Sequence, residues 1–237
     1  MKAYQIKIEL TGSDPLIWRR VIMPAGATFN RLHDVIQTVT NFESGYPREA
    51  FHLFEFDLRD DNIRVTNNEE AYQEHQHFKK NRKAIEEKMK DVPREFADFQ
   101  QAQLENLKTV IRKPTGIKID TYIERYGELT YTYDFGDDWR FLIMLEEVKE
   151  DYYYGYPTLI DGAQTAPPED VGGLRGYYEF LNIYHNASHP DHEHIRNWAK
   201  EQSYREYDEE HINRMLKFIK YKKTEWEKIN TTNNSNT

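Results

Sequence analysis

The spacing of apolar residues predicts three strands near the start of the chain, over residues 4–10, 17–22 and 51–58. Apolar and polar side chains alternate there with the two-residue period of a strand. Between the second and third strands, Thr28 can cap a helix whose apolar residues recur at three- and four-residue intervals as far as Val39. A hairpin, a helix and a further strand are typical of an α+β domain.

Residues 69–113 differ in pattern from the rest of the chain. They are rich in Glu, Lys, Gln and Arg, and their few apolar residues recur at roughly helical spacing. Pro93 should break this run, so the pattern predicts two charged helices that project from the domain as an antiparallel pair. We interpret the segment as a helical insertion with a solvated surface, and an arm that binds a partner is the alternative.

The second half of the chain returns to strand patterns and ends in helices. Strands are predicted over residues 117–123, 129–135 and 139–145, and the last two form a β-hairpin around a Gly-Asp-Asp turn. An irregular stretch rich in Gly, Pro and Tyr follows at residues 152–176. The remaining predictions are helices over residues 177–184, 191–201 and 208–228 and a disordered tail over residues 230–237.

Together these elements predict a single α+β domain over residues 1–229. Its sheet is expected to be mixed or antiparallel, with helices packed on it and the charged helical insertion at residues 69–113. We find no internal repeat and no linker long enough to separate two domains.

Composition and charge narrow the classes of function. The chain has 237 residues, a formal net charge of −9 and no cysteine. Because so acidic a surface repels phosphate backbones, nonspecific binding to nucleic acid is not expected. The lack of cysteine excludes disulfides, thiolate metal sites and a cysteine nucleophile. With no apolar signal sequence and no stretch long enough to cross a bilayer, we expect a cytoplasmic protein that does not bind membranes.

Three motifs are more specific than the periodicity. They are Pro-Leu-Ile-Trp-Arg-Arg at residues 15–20, Tyr-Asp-Phe-Gly-Asp-Asp-Trp at residues 133–139, and Ala-Pro-Pro-Glu-Asp-Val-Gly-Gly at residues 166–173, with Gly176 and Tyr177 beyond. In this order and spacing they resemble the plasmid pRiA4b ORF-3-like family, whose members are also described as transposon-passenger TnpR-like proteins.

The resemblance covers residues 4 to about 216 apart from the insertion, and it implies an α+β protein found on plasmids and mobile elements as well as chromosomes. It implies no particular activity, although some relatives carry a DNA-binding domain and some are called resolvases. Relatives with cysteines around the third motif differ from this chain, which has Ala166 and Val171 there, so a cysteine-based metal site is not carried over. Resolvase activity is not expected, because Arg19 and Arg20 are adjacent on a strand and point to opposite faces.

The turn of the predicted hairpin is one candidate site. Asp134, Asp137 and Asp138 could gather carboxylates around a divalent metal ion. In the alternative, which we prefer here, these aspartates bond their own backbone as turn residues do, and Trp139 belongs to the core.

Two further segments could supply carboxylates or imidazoles. Glu169 and Asp170 precede two glycines and a predicted helix, where they could hold a metal ion or a ligand, or cap the helix. Tyr177 on that helix is a further ligand-binding candidate. Four of the nine histidines lie between residues 185 and 194, and His192 is the candidate metal ligand among them, although a helix start also explains this segment.

Trp18, Arg19 and Arg20 form the last candidate site, with Trp18 and Arg19 as the ligand-binding candidates. They could bind an anion, or they could be a tryptophan anchor beside a salt-bridging arginine. If the chain holds a divalent metal ion, the expected ligands are Asp134, Asp138, Glu169 and His192.

A non-catalytic binding or interaction module associated with plasmids or mobile elements is the function we favour from the sequence. The sequence shows no recognisable catalytic constellation and has a charged helical arm, so an unidentified protein is the expected partner. The alternative is a metal-dependent hydrolase that acts on nucleotides or nucleic acid through the carboxylates of the second and third motifs. Convergence of those carboxylates would favour the enzyme, and carboxylates that cap separate turns would favour the module.

Overall fold

A mixed sheet of eight strands organises the part of the chain that the structure describes. The computed structural model describes residues 1–45, 52–90 and 92–218. In chain order the strands are β1 (Ala3–Leu10), β2 (Trp18–Pro24), β3 (Phe54–Leu58), β4 (Ile63–Thr66), β5 (Val110–Arg112), β6 (Glu128–Tyr133), β7 (Trp139–Lys149) and β8 (Thr158–Ala163).

Helices connect and cover these strands. They are α1 (Phe29–Val39), α2 (Glu69–Lys90), α3 (Ala97–Asn106), α4 (Asp120–Tyr126), α5 (Gly173–Tyr184), α6 (His192–Glu201) and α7 (Glu209–Phe218). Short 3₁₀ turns occur at Arg59–Asp61, Arg94–Phe96 and Pro114–Gly116. Among the described residues, no helix combines the length and the apolar character needed to cross a membrane.

The strands lie in the order β5-β4-β3-β6-β7-β1-β2-β8. Strands β4 and β5 pair in parallel, and the other neighbours pair antiparallel. The central strands show alternating burial, with every second side chain pointing into the core, as the two-residue period in the sequence requires. The fold prediction is confirmed: the chain is an α+β domain with a mixed sheet and packed helices.

The core lies between α1 and one face of the sheet, and aromatic rings fill much of it. The Thr28 side chain accepts a hydrogen bond from the Arg31 amide at the start of α1, as its N-cap role predicts. Phe29 meets Phe56 edge to face with ring centroids 5.0 Å apart, and Phe56 also packs on Tyr131 at 4.6 Å. Rings of this size bury large apolar areas, which compensates for a modest aliphatic content.

The strand predicted over residues 117–123 is wrong, because α4 occupies most of it. Ile119 and Ile123 are both buried, and they lie four residues apart, which matches one helical turn as well as strand alternation. Gly127 has a φ of 73° and its amide closes the helix on the Ile123 carbonyl.

Three strands were not predicted. Strand β8 lies inside the stretch expected to be irregular, and Leu159 is its one buried residue, so it lacks an alternating pattern. Strands β4 and β5 are four and three residues long. Strand β5 also falls within the predicted insertion, where Ile111 is buried in the sheet and not part of a helix.

The charged segment contains helices, as its pattern predicts. Helices α2 and α3 contact each other, and Phe96 and Phe99 are each 54% exposed. Three predictions lie partly or wholly outside the described residues: the start of the third strand at Phe51, the end of the last helix beyond residue 218, and the tail over residues 230–237.

Candidate functional site

Four polar side chains from three segments meet at the end of the sheet next to the β6–β7 turn. They are His52, Asp134, Glu169 and Asp170, which we call the carboxylate–histidine cluster. His52 precedes β3, Asp134 follows β6, and the other two precede α5.

Strand pairing brings His52 next to Asp134. Strands β3 and β6 are antiparallel neighbours with Phe54 opposite Tyr133, and the Asp134 amide donates to the Leu53 carbonyl at 2.9 Å. His52, two residues before β3, and Asp134, directly after β6, therefore lie at the same end of the sheet, although 82 positions separate them in the sequence.

The distances within the cluster are longer than hydrogen bonds. His52 Nδ1 lies 3.6 Å from Asp134 Oδ2, while His52 Nε2 lies 3.6 Å from Asp170 Oδ1 and 3.8 Å from Glu169 Oε2. One histidine gives one ring nitrogen to a given ion, so these distances, which involve both nitrogens of His52, do not describe one coordination shell. Two atoms bound to one ion at about 2.0–2.2 Å in a tetrahedral shell are about 3.4 Å apart, so the side chains would have to close around an ion. Ligand atoms of His52, Asp134 and Asp170 all lie within 4.8 Å of one another, so these side chains could hold a metal ion.

Glu169 is the buried member of the cluster, at 3% exposure. Its Oε1 accepts hydrogen bonds from the Tyr133 hydroxyl and the Glu43 amide, both at 2.7 Å. Its Oε2 is buried as well and has no hydrogen-bond partner. Burial raises the pKa of the Glu169 carboxyl, and the two hydrogen bonds and the nearby His52 oppose that shift. A buried carboxylate oxygen without a donor is costly, and its position facing the other ligands points to a cation.

The backbone at two cluster residues is in the left-handed region. Asp134 has a φ of 50° and Asp170 a φ of 54°. Aspartate tolerates this conformation better than most residues, yet it still costs free energy. Asp134 Oδ1 accepts from the Gly136 amide at 3.0 Å, which leaves Oδ2 to face His52. Asp134 therefore bonds its own turn, as the sequence predicts, and also belongs to the cluster.

A buried histidine of α1, His33, bonds to Ser44 near the cluster. His33 Nε2 donates to the Ser44 carbonyl at 3.0 Å, and its Nδ1 accepts from the Tyr131 hydroxyl at 2.7 Å. Burial lowers the pKa of His33 to about 4, so the ring is neutral at neutral pH. Ser44 Oγ in turn accepts from the backbone amide of His52 at 3.2 Å. Ser44 therefore bonds both to His33 of α1 and to the cluster histidine.

The structure separates the aspartates of the turn. Asp137 Oδ2 accepts from the Gly172 amide at 3.0 Å, so it joins the turn to the start of α5 and does not enter the cluster. Asp138 pairs with the exposed Arg140 at 2.8 Å and also lies outside it. Trp139 is 1% exposed and belongs to the core, as expected if the motif shapes a turn.

Two more sequence candidates lie outside the cluster. His192 is at the start of α6, where its Nδ1 is 3.0 Å from the Ile183 carbonyl. Tyr177 is buried and its hydroxyl donates to the Thr165 carbonyl at 2.7 Å.

Arg19 is a buried structural residue and not a surface anion site. Its guanidinium donates to the carbonyls of Val39, Trp18 and Ala163 at 2.7–2.9 Å. It also lies over the Tyr207 ring, 4.2 Å from the centroid. Trp18 packs against cationic side chains on the other face of the sheet. Arg19 is thus satisfied by carbonyls, and the salt-bridging arginine beside Trp18 is Arg20, which pairs with Glu146 at 2.6 Å.

His52 is the cluster residue that the sequence reasoning missed. It is an isolated histidine at the edge of a predicted strand, with no neighbouring ligand to draw attention to it. A signal was present in the strand predictions themselves, because antiparallel pairing of the strands over residues 51–58 and 129–135 brings residue 53 opposite residue 134, one position from residue 52.

Comparison with known proteins identifies the family. The family model described as plasmid pRiA4b ORF-3-like protein matches residues 2–215. Over 200 residues the chain is 27% identical to the uncharacterized protein y4hQ of Sinorhizobium fredii. The aligned region covers 84% of this chain and 82% of that protein. A crystal structure of a protein of unknown function, MM3350 from Methanosarcina mazei Go1, matches with a TM-score of 0.56 and 26% identity over 83% of this chain and 88% of that chain. The chain belongs to the pRiA4b ORF-3-like family, which confirms the resemblance seen in its motifs.

Proposed function

We propose that this member of the pRiA4b ORF-3-like family is a metal-dependent hydrolase that binds a divalent transition-metal ion at His52, Asp134, Glu169 and Asp170. The observation that carries the proposal is the convergence of carboxylates from the second and third motifs on one histidine, with the buried Glu169 Oε2 facing them without a hydrogen-bond donor. Of the two functions considered from the sequence, this geometry favours the hydrolase.

The ligand types indicate which ions to expect. Imidazole suits zinc, iron and similar borderline ions, whereas calcium and magnesium prefer oxygen ligands alone. A set of one histidine and three carboxylates fits Mn²⁺, Fe²⁺ or Zn²⁺ best. Cysteine is absent, so the softer thiolate-selecting ions are not favoured.

Exposure within the cluster indicates the side from which a substrate would approach. The Asp170 side chain is 61% exposed, while those of His52 and Asp134 are 21% and 13% exposed. Glu169 closes the site from the protein interior. A bound ion would polarise a phosphoryl or carbonyl oxygen and lower the pKa of a bound water to about 7. We propose nucleotides as substrates, because the acidic chain disfavours long nucleic acids.

Metal binding to chelator-treated protein is the experiment that tests this proposal. Equilibrium dialysis with elemental analysis should find about one ion per chain for Mn²⁺, anaerobic Fe²⁺ or Zn²⁺, and weaker binding of Mg²⁺ and Ca²⁺. His52→Gln and Asp170→Asn should each weaken binding at least tenfold, because each removes a ligand. Asp138→Asn and His192→Gln are matched controls outside the cluster and should bind as wild type does.

Hydrolysis is tested separately with the loaded protein on nucleoside mono-, di- and triphosphates. Release of phosphate that requires the metal and is lost in His52→Gln supports the enzyme. If the protein binds no divalent ion, or if the cluster variants bind it as wild type does, the metal site is refuted. Metal binding without turnover of any nucleotide would leave a metal-binding protein and refute the hydrolase.

A second candidate function is protein binding through the helical arm. The specific observation is that Phe96, directly before α3, and Phe99, in its first turn, are each more than half exposed. This candidate keeps the expected cytoplasmic, mobile-element context and an unidentified protein partner. Co-purification from the native host should recover a partner with wild type and lose it with a Phe96→Ser, Phe99→Ser double variant, and equal recovery would refute it.

A further inference from the structure

A second cleft lies between the loop before β2, helix α5 and the segment that leads into α7. Its volume is about 280 Å³. The residues that shape it include Pro15, Tyr177, Tyr178, Leu181, Tyr204 and Glu206. None of the four residues of the carboxylate–histidine cluster lines it, so it is a separate feature of the molecule.

Hydrogen bonds and ring packing hold the tyrosines of this cleft in place. The Tyr177 hydroxyl donates to the Thr165 carbonyl, and the Tyr178 hydroxyl accepts from the Asp14 amide, both at 2.7 Å. The Tyr204 ring packs edge to face on Phe180 with centroids 4.9 Å apart. Three aromatic side chains are therefore preorganised around one opening, which lowers the entropic cost of binding a ligand.

The charge of the lining favours a cation. Glu206 is an exposed carboxylate in the lining, and the described residues that line the cleft include one histidine, His185, but no lysine or arginine. The Arg19 guanidinium is not in the lining, because it is buried, donates to three carbonyls and lies over the Tyr207 ring. The chain as a whole carries a net charge of −9, which adds to the attraction for a cation.

We propose that this cleft binds a small organic cation, with an ammonium or guanidinium group held between the tyrosine rings and the Glu206 carboxylate. Aromatic rings attract such cations through their quadrupole, and a carboxylate in the lining completes the recognition. The volume of about 280 Å³ is just below the range for ligand pockets, about 300–1,000 Å³, so the ligand is small. The same chain already pairs Arg196 with the Tyr184 ring at 4.4 Å.

Ligand-observed NMR titration of the full chain tests the charge preference. The probes are tetramethylammonium and guanidinium, with tert-butanol as a neutral molecule of similar size and acetate as an anion. Both cations should bind at least fivefold more tightly than tert-butanol, and acetate should bind more weakly still. If tert-butanol or acetate binds as tightly as the cations, the proposal is overturned.

Two substitutions at Tyr178 separate recognition by the ring from effects on folding. Tyr178→Phe and Tyr178→Leu both lose the hydrogen bond from the Asp14 amide, but only Phe keeps the aromatic face. Cation affinity should stay within twofold of wild type in the Tyr178→Phe variant and fall at least threefold in the Tyr178→Leu variant. Glu206→Gln should also weaken it at least threefold, and Tyr154→Leu, at an exposed tyrosine outside the cleft, should not. Equal losses in the two Tyr178 variants, or unchanged affinity in Leu and in Glu206→Gln, would overturn the proposal.

Discussion

The proposed metal site and a purely structural cluster predict opposite effects of Glu169→Gln on the stability of the metal-free protein. In a structural cluster, Glu169 would pair with His52, whose Nε2 lies 3.8 Å away, and removal of one partner of a buried ion pair costs about 3–5 kcal/mol. In a metal site without its ion, the carboxylate is instead a buried charge next to another carboxylate. The free energy of unfolding of the metal-free protein should then rise when that charge is removed.

The local contacts indicate why glutamine is tolerated. Its amide oxygen can still accept from the Tyr133 hydroxyl and the Glu43 amide, and its amide nitrogen replaces Oε2, which has no donor. The charge of Asp170 and the burial itself, both of which raise the pKa of the Glu169 carboxyl, no longer matter. Relief of this kind at functional sites adds about 0.5–2 kcal/mol of stability, and about 1 kcal/mol corresponds to a rise of about 2–4 °C in Tm for a chain of this size.

The pH dependence follows from the sign of the pKa shift. Because the folded-state pKa of Glu169 is raised above its ordinary value of 4.5, the folded protein binds more protons than the unfolded chain between the two values. Stability therefore falls as the pH rises through this window. The advantage of Glu169→Gln should grow as the pH rises above about 4.5 and vanish below it.

Thermal and urea denaturation with and without chelator measure this prediction. Wild type should gain stability when a saturating transition-metal ion is added, and Glu169→Gln should gain much less, so that the order of stability reverses. Glu128→Gln, at an exposed position of β6, is the control and should leave both values within about 0.5 kcal/mol of wild type. A metal-free Glu169→Gln protein that is several kcal/mol less stable than wild type would refute the metal-site reasoning.

Three further substitutions test the surroundings of the site. Tyr133→Phe removes a donor to the Glu169 carboxylate and should cost about 1.5–3 kcal/mol in urea denaturation and about tenfold in metal affinity. Arg19→Lys replaces a guanidinium that donates to three carbonyls and stacks on a ring, so it should cost about 2–3 kcal/mol, and a loss under 0.5 kcal/mol would contradict that role. Because the pKa of His33 falls from 6.5 to about 4 on folding, wild-type stability should rise by about 3 kcal/mol between pH 4 and 6.5, and His33→Phe should flatten this rise.

The sequence predicts the central part of the fold well because that part obeys simple periods. Strands β1, β6 and β7 each have one buried and one open face, so their side chains alternate clearly. The errors occur where the period is ambiguous or the element is short. Ile119 and Ile123 satisfy both a strand and a helix pattern, and β8 buries a single residue.

The sequence also indicates three of the four cluster residues, but not how they divide between roles. Asp134 and Asp138 lie in the same turn and both have positive φ, near 50°. Asp134 faces His52, whereas Asp138 faces the solvent and Arg140. Composition and spacing do not tell which of the two aspartates enters the cluster. That depends on which side of the turn strand β3 lies.

One contact explains why the second and third motifs act together. Asp137 Oδ2 accepts from the Gly172 amide, and a Cβ added at Gly173 would lie 3.0 Å from the Asp137 carbonyl oxygen. Two glycines therefore allow the start of α5 to approach the hairpin turn closely. That approach sets Asp170 beside Asp134, with His52 between them. Asp137, Gly172 and Gly173 thus position the cluster without belonging to it. A motif contains such positioning residues as well as ligands, so it can be recognised in the sequence before each side chain is assigned a role.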